Sequence, residues 1–451
     1  MRSLHRPSIQ MKSQFRRTRI LLRMEYIMFY KVSATALALS LSGLAAEAKV
    51  TITCLTNAGH LTRQHEPLMK EFNAMQDEIE VVYAAPAKNY GDTHLRLFRG
   101  SATNTLPDCA FEAYNQLPSL ARALAERGQI VNLDEMMAAE GSDFKDGNYT
   151  DQMLNLGRVD GVQYGMPFNA SVIQWYYNAD LFRQAGLDPD KFPTDWDGFF
   201  DATQKIDALG DDIDPMFMWL INGDDWGFQT LILQQGGQMM SDDGQSIAFS
   251  ENDYHIEAMK MARRLVVEGG ARTDQDRATQ FTAFTEGRMG MWGLSPAGAR
   301  SAAERVGDAF ELRSAPFTVW NDADGKLPTG GNAAIITASD PEKQAAAWEY
   351  IKFLTGARGQ QVTAEITGYL PTNKGTLGTD YMGEFYAQNP YYATPIKQYD
   401  RAGPWSGYPG TQSEKIWRDQ ASTIRAVMEG EVTPEEGAAK LVEIAEKLMK
   451  R

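Results

Sequence analysis

Short apolar runs along this chain alternate with longer stretches in which apolar residues recur every three or four positions. Residues 50–55 and 79–83 read as strands, with a helical period over 61–75 between them. A helix over 92–99, a strand over 108–111 and a helix over 117–127 follow. Such βαβαβ order predicts a parallel sheet with helices on both faces. Ligands of such a sheet belong at the carboxyl ends of its strands, here in loops that start near Asn57, Tyr90 and Tyr114. A second region opens at Gly165-Met166-Pro167 with a strand over 171–177, helices over 179–185, 196–209, 226–235, 255–268 and 275–284, and strands over 288–292 and 333–337. Helical patterns over 341–354, 413–428 and 434–449 close the chain. About 400 residues of this kind exceed one ordinary core, so two lobes are expected.

The first 48 residues follow a different pattern. Basic residues up to Lys31 precede an apolar and small-residue run over 32–46, and Ala46-Glu47-Ala48 has the form of a signal-peptidase site. The run is about fifteen residues long, against roughly twenty for a membrane span. Residues 1–48 are therefore expected to be a cleaved export signal, with 1–27 an upstream extension if translation starts at Met28. A lipid-anchored form would place Cys first after cleavage, where Lys49 stands. A soluble protein of the bacterial periplasm is expected.

Beyond residue 48 the chain holds 36 Lys+Arg against 57 Asp+Glu. This balance argues against nucleic acid and against anionic lipid as partners. The two cysteines, Cys54 and Cys109, each lie in or at the start of a strand pattern. In an oxidising compartment they could form a disulfide or remain adjacent buried thiols.

Catalytic patterns are missing. His60, His65, His94 and His255 form no H-E-x-x-H motif, and Ser295 in Gly-Leu-Ser-Pro-Ala-Gly does not match the G-x-S-x-G elbow. No catalytic residue, metal ligand or cofactor is expected; the acidic turns at 210–212 and 322–325 lack the spacing of a calcium loop. Aromatic residues near turns carry more information. Trp175, Tyr176, Tyr177, Trp219, Trp226, Trp292, Tyr369, Trp405, Tyr408 and Trp417 lie in or beside them, whereas Trp348 sits in an Ala-rich helical pattern and reads as core. The apolar C–H faces of a sugar stack on aromatic rings, and its hydroxyls need polar partners. Trp226, Trp292 and Tyr369 are expected at such a site and the other aromatics in packing. Thr329-Gly330-Gly331-Asn332 precedes a strand, and glycines there either open the backbone to a ligand or form an ordinary turn.

The motifs Pro167-Phe168-Asn169-Ala170-Ser171, Trp175-Tyr176-Tyr177-Asn178, Ala185-Gly186-Leu187-Asp188-Pro189, Phe284-Thr285-Glu286-Gly287-Arg288-Met289-Gly290-Met291, Gly330-Gly331 and Thr367-Gly368-Tyr369-Leu370-Pro371 occur in this order. Their order resembles that of the family 1 extracellular solute-binding proteins of bacterial ABC importers, in the branch similar to the glycerol-3-phosphate-binding component. The resemblance implies a two-lobed α/β periplasmic binding protein of the maltose-binding type, with a ligand cleft between lobes. By the same resemblance, residues 49–165 plus 316–340 form the N-terminal lobe and 168–314 plus 341–451 the C-terminal lobe. It implies ligand contacts at Tyr90, Ser171, Ser295, Gly331 and Tyr369. The family's binding glutamate falls near Tyr114, with Glu112 two residues earlier, and its ligand arginine falls at Trp417, beside Arg418. A Trp in that place favours a neutral sugar or polyol, whereas Arg418 would favour glycerol 3-phosphate or a glycerophosphodiester. The implied protein is a monomer that hands its small-molecule ligand to the membrane subunits of a permease. A secreted carbohydrate-active enzyme is the alternative from another class.

Overall fold

The computed structural model describes residues 49–449 apart from 222–224, 321–324 and 411; the expected export signal, residues 1–48, lies outside the described residues. Nine strands carry the architecture: β1 (Val50–Leu55), β2 (Ile79–Tyr83), β3 (Cys109–Ala113), β4 (Gly165–Ser171), β5 (Gln174–Asn178), β6 (Asp214–Met218), β7 (Met289–Leu294), β8 (Leu312–Pro316) and β9 (Gly330–Ile336). The first sheet has the order β2-β1-β3-β9-β4 and the second β8-β5-β7-β6. Each sheet is covered by helices, giving a two-lobed α/β fold. Among the described residues no helix is long and apolar enough to cross a membrane.

β1, β2 and β3 are parallel, as the βαβαβ order predicts. β9 runs against both of its neighbours, β3 and β4, so the sheet is mixed. The reason is connectivity. β9 follows the whole second sheet in the chain, and it enters the first sheet from the edge where the parallel strands end: Gly330 pairs with Ser171 and Asn332 with Ala113. Cys54 and Cys109 face each other in register on β1 and β3 with Cα atoms 4.5 Å apart, and they are joined as a disulfide, the alternative that composition left open.

Two boundaries differ from expectation. The strand expected over 171–177 is two strands in different sheets, so the first crossing lies at Val172 and Ile173, not at 165–168. The helix Pro341–Thr355, assigned by resemblance to the second lobe, packs on the first: Trp348, Ile351 and Leu354 share a core with Ile52, Leu68 and Phe111. Only residues 337–340 separate β9 from this helix. Four residues span about 14 Å at most, which holds the helix beside the sheet it has just left. The helices Tyr254–Val267, Ser413–Glu429 and Pro434–Met449 bury their apolar faces in the core of the second lobe.

Trp292, expected at a ligand, is core. It sits in β7 with 1% of its surface exposed and packs on Phe281, Phe284 and Tyr176. Trp348 is core as expected, its ring beside Phe144 and its Nε1 donating to Glu140 Oε1 at 2.8 Å. Trp348→Ala is expected to lower the unfolding free energy by about 3–5 kcal/mol in urea titrations. An unchanged midpoint would mean that this ring is not packed.

Candidate functional site

The carboxyl ends of β1, β3 and β4 and the start of β9 share one edge of the first sheet, and the site is built there. Asn57, just after β1, caps a short helix by accepting from the backbone N–H of His60. The chain then makes one wide π-turn, Leu61–His65, before continuing as the helix Glu66–Met75. Such turns recur at functional sites. Here His60 and Arg63 reach the cleft, while Gln64 and His65 stay buried beneath.

Asn332, on β9, ties this wall together. Its side-chain amide donates to the Tyr90 hydroxyl at 3.1 Å and to His60 Nδ1 at 3.3 Å. An imidazole that accepts at Nδ1 carries its proton on Nε2, which lies 3.4 Å from the Tyr369 hydroxyl. Burial, helped by the neighbouring Arg63 charge, lowers His60 to about 3, so the imidazole is neutral at ordinary pH. Burial also raises the phenols of Tyr90 and Tyr369, which stay protonated.

The double glycine sets the floor. Gly331 has φ +122°, and a Cβ there would lie 2.1 Å from the Asn169 carbonyl oxygen. A Cβ on Gly330 would lie 2.9 Å from Ser171 Oγ and 3.2 Å from Trp226 Nε1. At position 331 only glycine admits this approach, and at 330 a side chain would have to displace Ser171 or Trp226. The Trp226 indole is fixed by a 2.7 Å bond from Nε1 to the Pro328 carbonyl, which presses its ring against this backbone.

The second lobe closes the opposite side. Ser295 follows β7, and its Oγ accepts from the Ala297 N–H. The Arg277 guanidinium lies 4.3 Å over the Trp219 ring. Arg63 crosses between the lobes, donating from Nη1 to the Ala297 carbonyl at 3.3 Å with its guanidinium 5.8 Å from the Tyr369 ring centre. The resulting pocket encloses about 240 Å³. Of the residues expected from the sequence, Tyr90, Ser171, Trp226, Ser295, Gly331 and Tyr369 line it.

The remaining candidates lie elsewhere. Glu112 is fully buried, with Oε1 2.6 Å from His94 Nδ1, and burial raises its carboxyl against the pull of that histidine. β3 turns this side chain under the helix Tyr90–Thr103 and away from the cleft. Tyr114 spends its hydroxyl on the Asn169 carbonyl and borders an adjoining groove. Trp417 and Arg418 border another, on the helix Ser413–Glu429, with Trp417 buried and Arg418 exposed. Among the described residues Trp405 alone is common to the pocket and both grooves, and its Nε1 donates to Asp225 at 2.9 Å.

Sequence reasoning missed His60, Arg63 and Arg277, and placed Trp219 and Trp405 in packing. A signal for the first two existed, because they follow directly on the loop at Asn57 that strand order marks as a ligand loop. Trp219 and Trp292 are indistinguishable in sequence; only the sheet decides which faces the cleft.

His60 also gives the protein an acid sensitivity. In the unfolded chain its imidazole takes up a proton near pH 6.5, and in the fold only near pH 3. Its contribution to stability is complete above about pH 6.5 and declines as pH falls toward 3, at up to about 1.4 kcal/mol per pH unit. His60→Gln is expected to flatten the fall of unfolding free energy with acidification across this window. Parallel curves for the two proteins would show that the imidazole is solvated in the fold.

The model of the bacterial extracellular solute-binding protein family matches residues 67–394. The sn-glycerol-3-phosphate-binding periplasmic protein UgpB of Brucella melitensis is 25% identical over 339 residues, covering 73% of this chain and 76% of that protein. Its namesake from Rhizobium meliloti is 24% identical over 367 residues, 77% of this chain and 80% of the relative. Among solved structures, the sugar-binding protein MalE of Xanthomonas citri superposes with a TM-score of 0.74 at 19% identity, over 89% of this chain and 98% of that one. UgpB of Mycobacterium tuberculosis, in complex with glycerophosphocholine, gives 0.73 at 18%, over 90% and 99%. Those two likenesses carry the fold, and the family match carries the membership: this chain belongs to the bacterial extracellular solute-binding proteins.

Proposed function

We propose that this protein captures a sugar or polyol in the periplasm by closing its two lobes, and delivers it to the membrane subunits of an ABC importer. The observation that carries this reading is the composition of the pocket. Trp226, Trp219 and Tyr369 offer aromatic surface, while Ser171, Ser295 and Tyr90 offer hydroxyls. A ring of C–H faces and hydroxyls is matched by both. The walls come from both lobes, so ligand contacts are complete only when the lobes approach. A solute with higher affinity for the closed arrangement selects it, and a difference of a few kcal/mol makes the switch decisive. Trp417 and Arg418, where the family's phosphate contact would fall, border the neighbouring groove, and this supports a polyhydroxylated solute as the basic class. Among the described residues of the pocket none is arranged as a nucleophile with an activating base, which supports binding over catalysis.

In calorimetry against a panel of monosaccharides, disaccharides and polyols, Trp226→Ala and Tyr369→Ala are each expected to weaken the bound solute by about 1–3 kcal/mol. Unchanged affinity in variants that melt normally would remove both rings from the site. Closure has its own test. A Cβ on Gly407, in the second lobe, would lie 1.9 Å from the backbone carbonyl of Asn115 in the first. Gly407→Ala is expected to weaken solute binding about tenfold or more and to leave the urea midpoint of the solute-free protein in place. Wild-type affinity would show that binding does not need the lobes to come this close.

A further inference from the structure

Trp405 stands where the pocket and two grooves meet. Its indole is buried, with 6% of its surface exposed, yet it lines all three spaces. Among the described residues no other is shared by the pocket and the groove bordered by Tyr114, and with Tyr90 it forms the boundary to the groove bordered by Trp417. The first of these grooves, of about 460 Å³, carries polar and aromatic groups of its own, among them Ser119, Arg122, Gln152 and Tyr408. A solute reaching from the pocket into it would have to pass the indole.

The ring is fastened at its side chain and at its backbone. Nε1 donates to Asp225 Oδ1 at 2.9 Å. Gln229, one helical turn on, donates from Nε2 to Asp225 Oδ2 at 2.8 Å and to the Ser406 carbonyl at 2.6 Å, and its Oε1 accepts from the Ser406 N–H at 3.1 Å. The chain leading to Trp405 is tied down as well: Ala402–Gly403 pairs in parallel with Leu327–Pro328, and the Gly403 carbonyl accepts from the Thr329 N–H. Turning the indole aside would break a charge-assisted bond of a buried donor, so the ring keeps its place.

The pocket on its near side encloses about 240 Å³, below the roughly 300 Å³ at which common ligand pockets begin. That space suits one sugar ring or a short polyol. We propose that Trp405 is the specificity residue that sets the length of the solute. It walls the pocket off from the adjoining grooves, admits a single sugar unit and rejects chains of two or more, and Asp225 is the positioning residue that keeps the ring in place. The inference rests on the sugar or polyol reading above and adds the size limit.

Calorimetry with series that differ in length alone tests the proposal: glucose, maltose and maltotriose; xylose, xylobiose and xylotriose; sorbitol and maltitol. In a series that binds, the single unit is expected to bind the wild-type protein about tenfold tighter or more than the longer members. Trp405→Leu keeps an apolar side chain in the core but removes the plate, and it should cut that preference below about threefold by tightening the longer members. Asp225→Ala, which leaves the indole without its anchor, should cut it in part. Wild-type protein that binds the longer members as tightly as the single unit would overturn the inference and leave the sugar or polyol reading intact. So would a full length preference in a Trp405→Leu protein that melts cooperatively, or equal weakening of all members, the mark of a ring that only stacks. Binding of no member of any series would overturn the sugar or polyol reading and the size limit with it. A second measurement needs neither solute nor variant. In isotope-labelled wild-type protein the Nε1–H of Trp405 should exchange with solvent about a hundredfold slower than an exposed indole, and exchange at the exposed rate would mean that the ring swings freely and is no partition.

Discussion

Gly331 holds a backbone conformation of φ +122° close against the Asn169 carbonyl, and a single added carbon would lie 2.1 Å from that oxygen. This close approach lets β9 lie antiparallel between β3 and β4 with its first residues at the mouth of the cleft. Three features follow from it. Asn332, the next residue, reaches His60 and Tyr90. Trp226, from the other lobe, rests on Gly330 because no side chain intervenes. Ser171 stands opposite Gly330 in the register. A larger residue at Gly331 would push the return strand away from β4, and one at Gly330 would displace the Ser171 and Trp226 side chains.

The polar groups around that strand are organised before any solute arrives. Asn332 uses its donor on two acceptors, which assigns the His60 tautomer and holds the Tyr90 and Tyr369 hydroxyls in place. Desolvation keeps the imidazole uncharged. The positive charge that the described residues bring to the pocket is carried by the guanidinium groups of Arg63 and Arg277. A preorganised wall of this sort lowers the ordering cost of binding, and the cost that remains is that of bringing the lobes together.

The aromatic residues divide according to the sheets. Trp175, Trp292 and Tyr176 lie on strands covered on both faces and are almost fully buried. Trp226, Trp219 and Trp405 lie at element ends beside the cleft, and each has a fixing contact: Pro328, Arg277 and Asp225. All three line the pocket. The Cys54–Cys109 disulfide locks β1 to β3, the two strands whose following loops carry His60 and Tyr114.

Local pattern alone determined most of the elements, since period two and period 3.6 are properties of neighbouring residues, and strand order then marked the carboxyl ends of β1, β2 and β3 as the binding edge. Motif order pointed to the family, and six of the eleven expected site residues line one pocket because they lie on the elements that the fold brings together at that edge. What local pattern could not determine was which side chain turns inward once a strand or helix is packed. Glu112 turns to His94 and Trp292 to Phe284, whereas Arg63 is turned to the cleft by a wide turn that no residue spacing announces. The lobe of the Pro341–Thr355 helix was likewise decided by a four-residue link to β9 and the core waiting beside it. These choices depend on which elements pack together, whether the partner is His94, 18 residues from Glu112, or Ala297, 234 residues from Arg63, and the burial energy of such contacts exists only in the assembled fold.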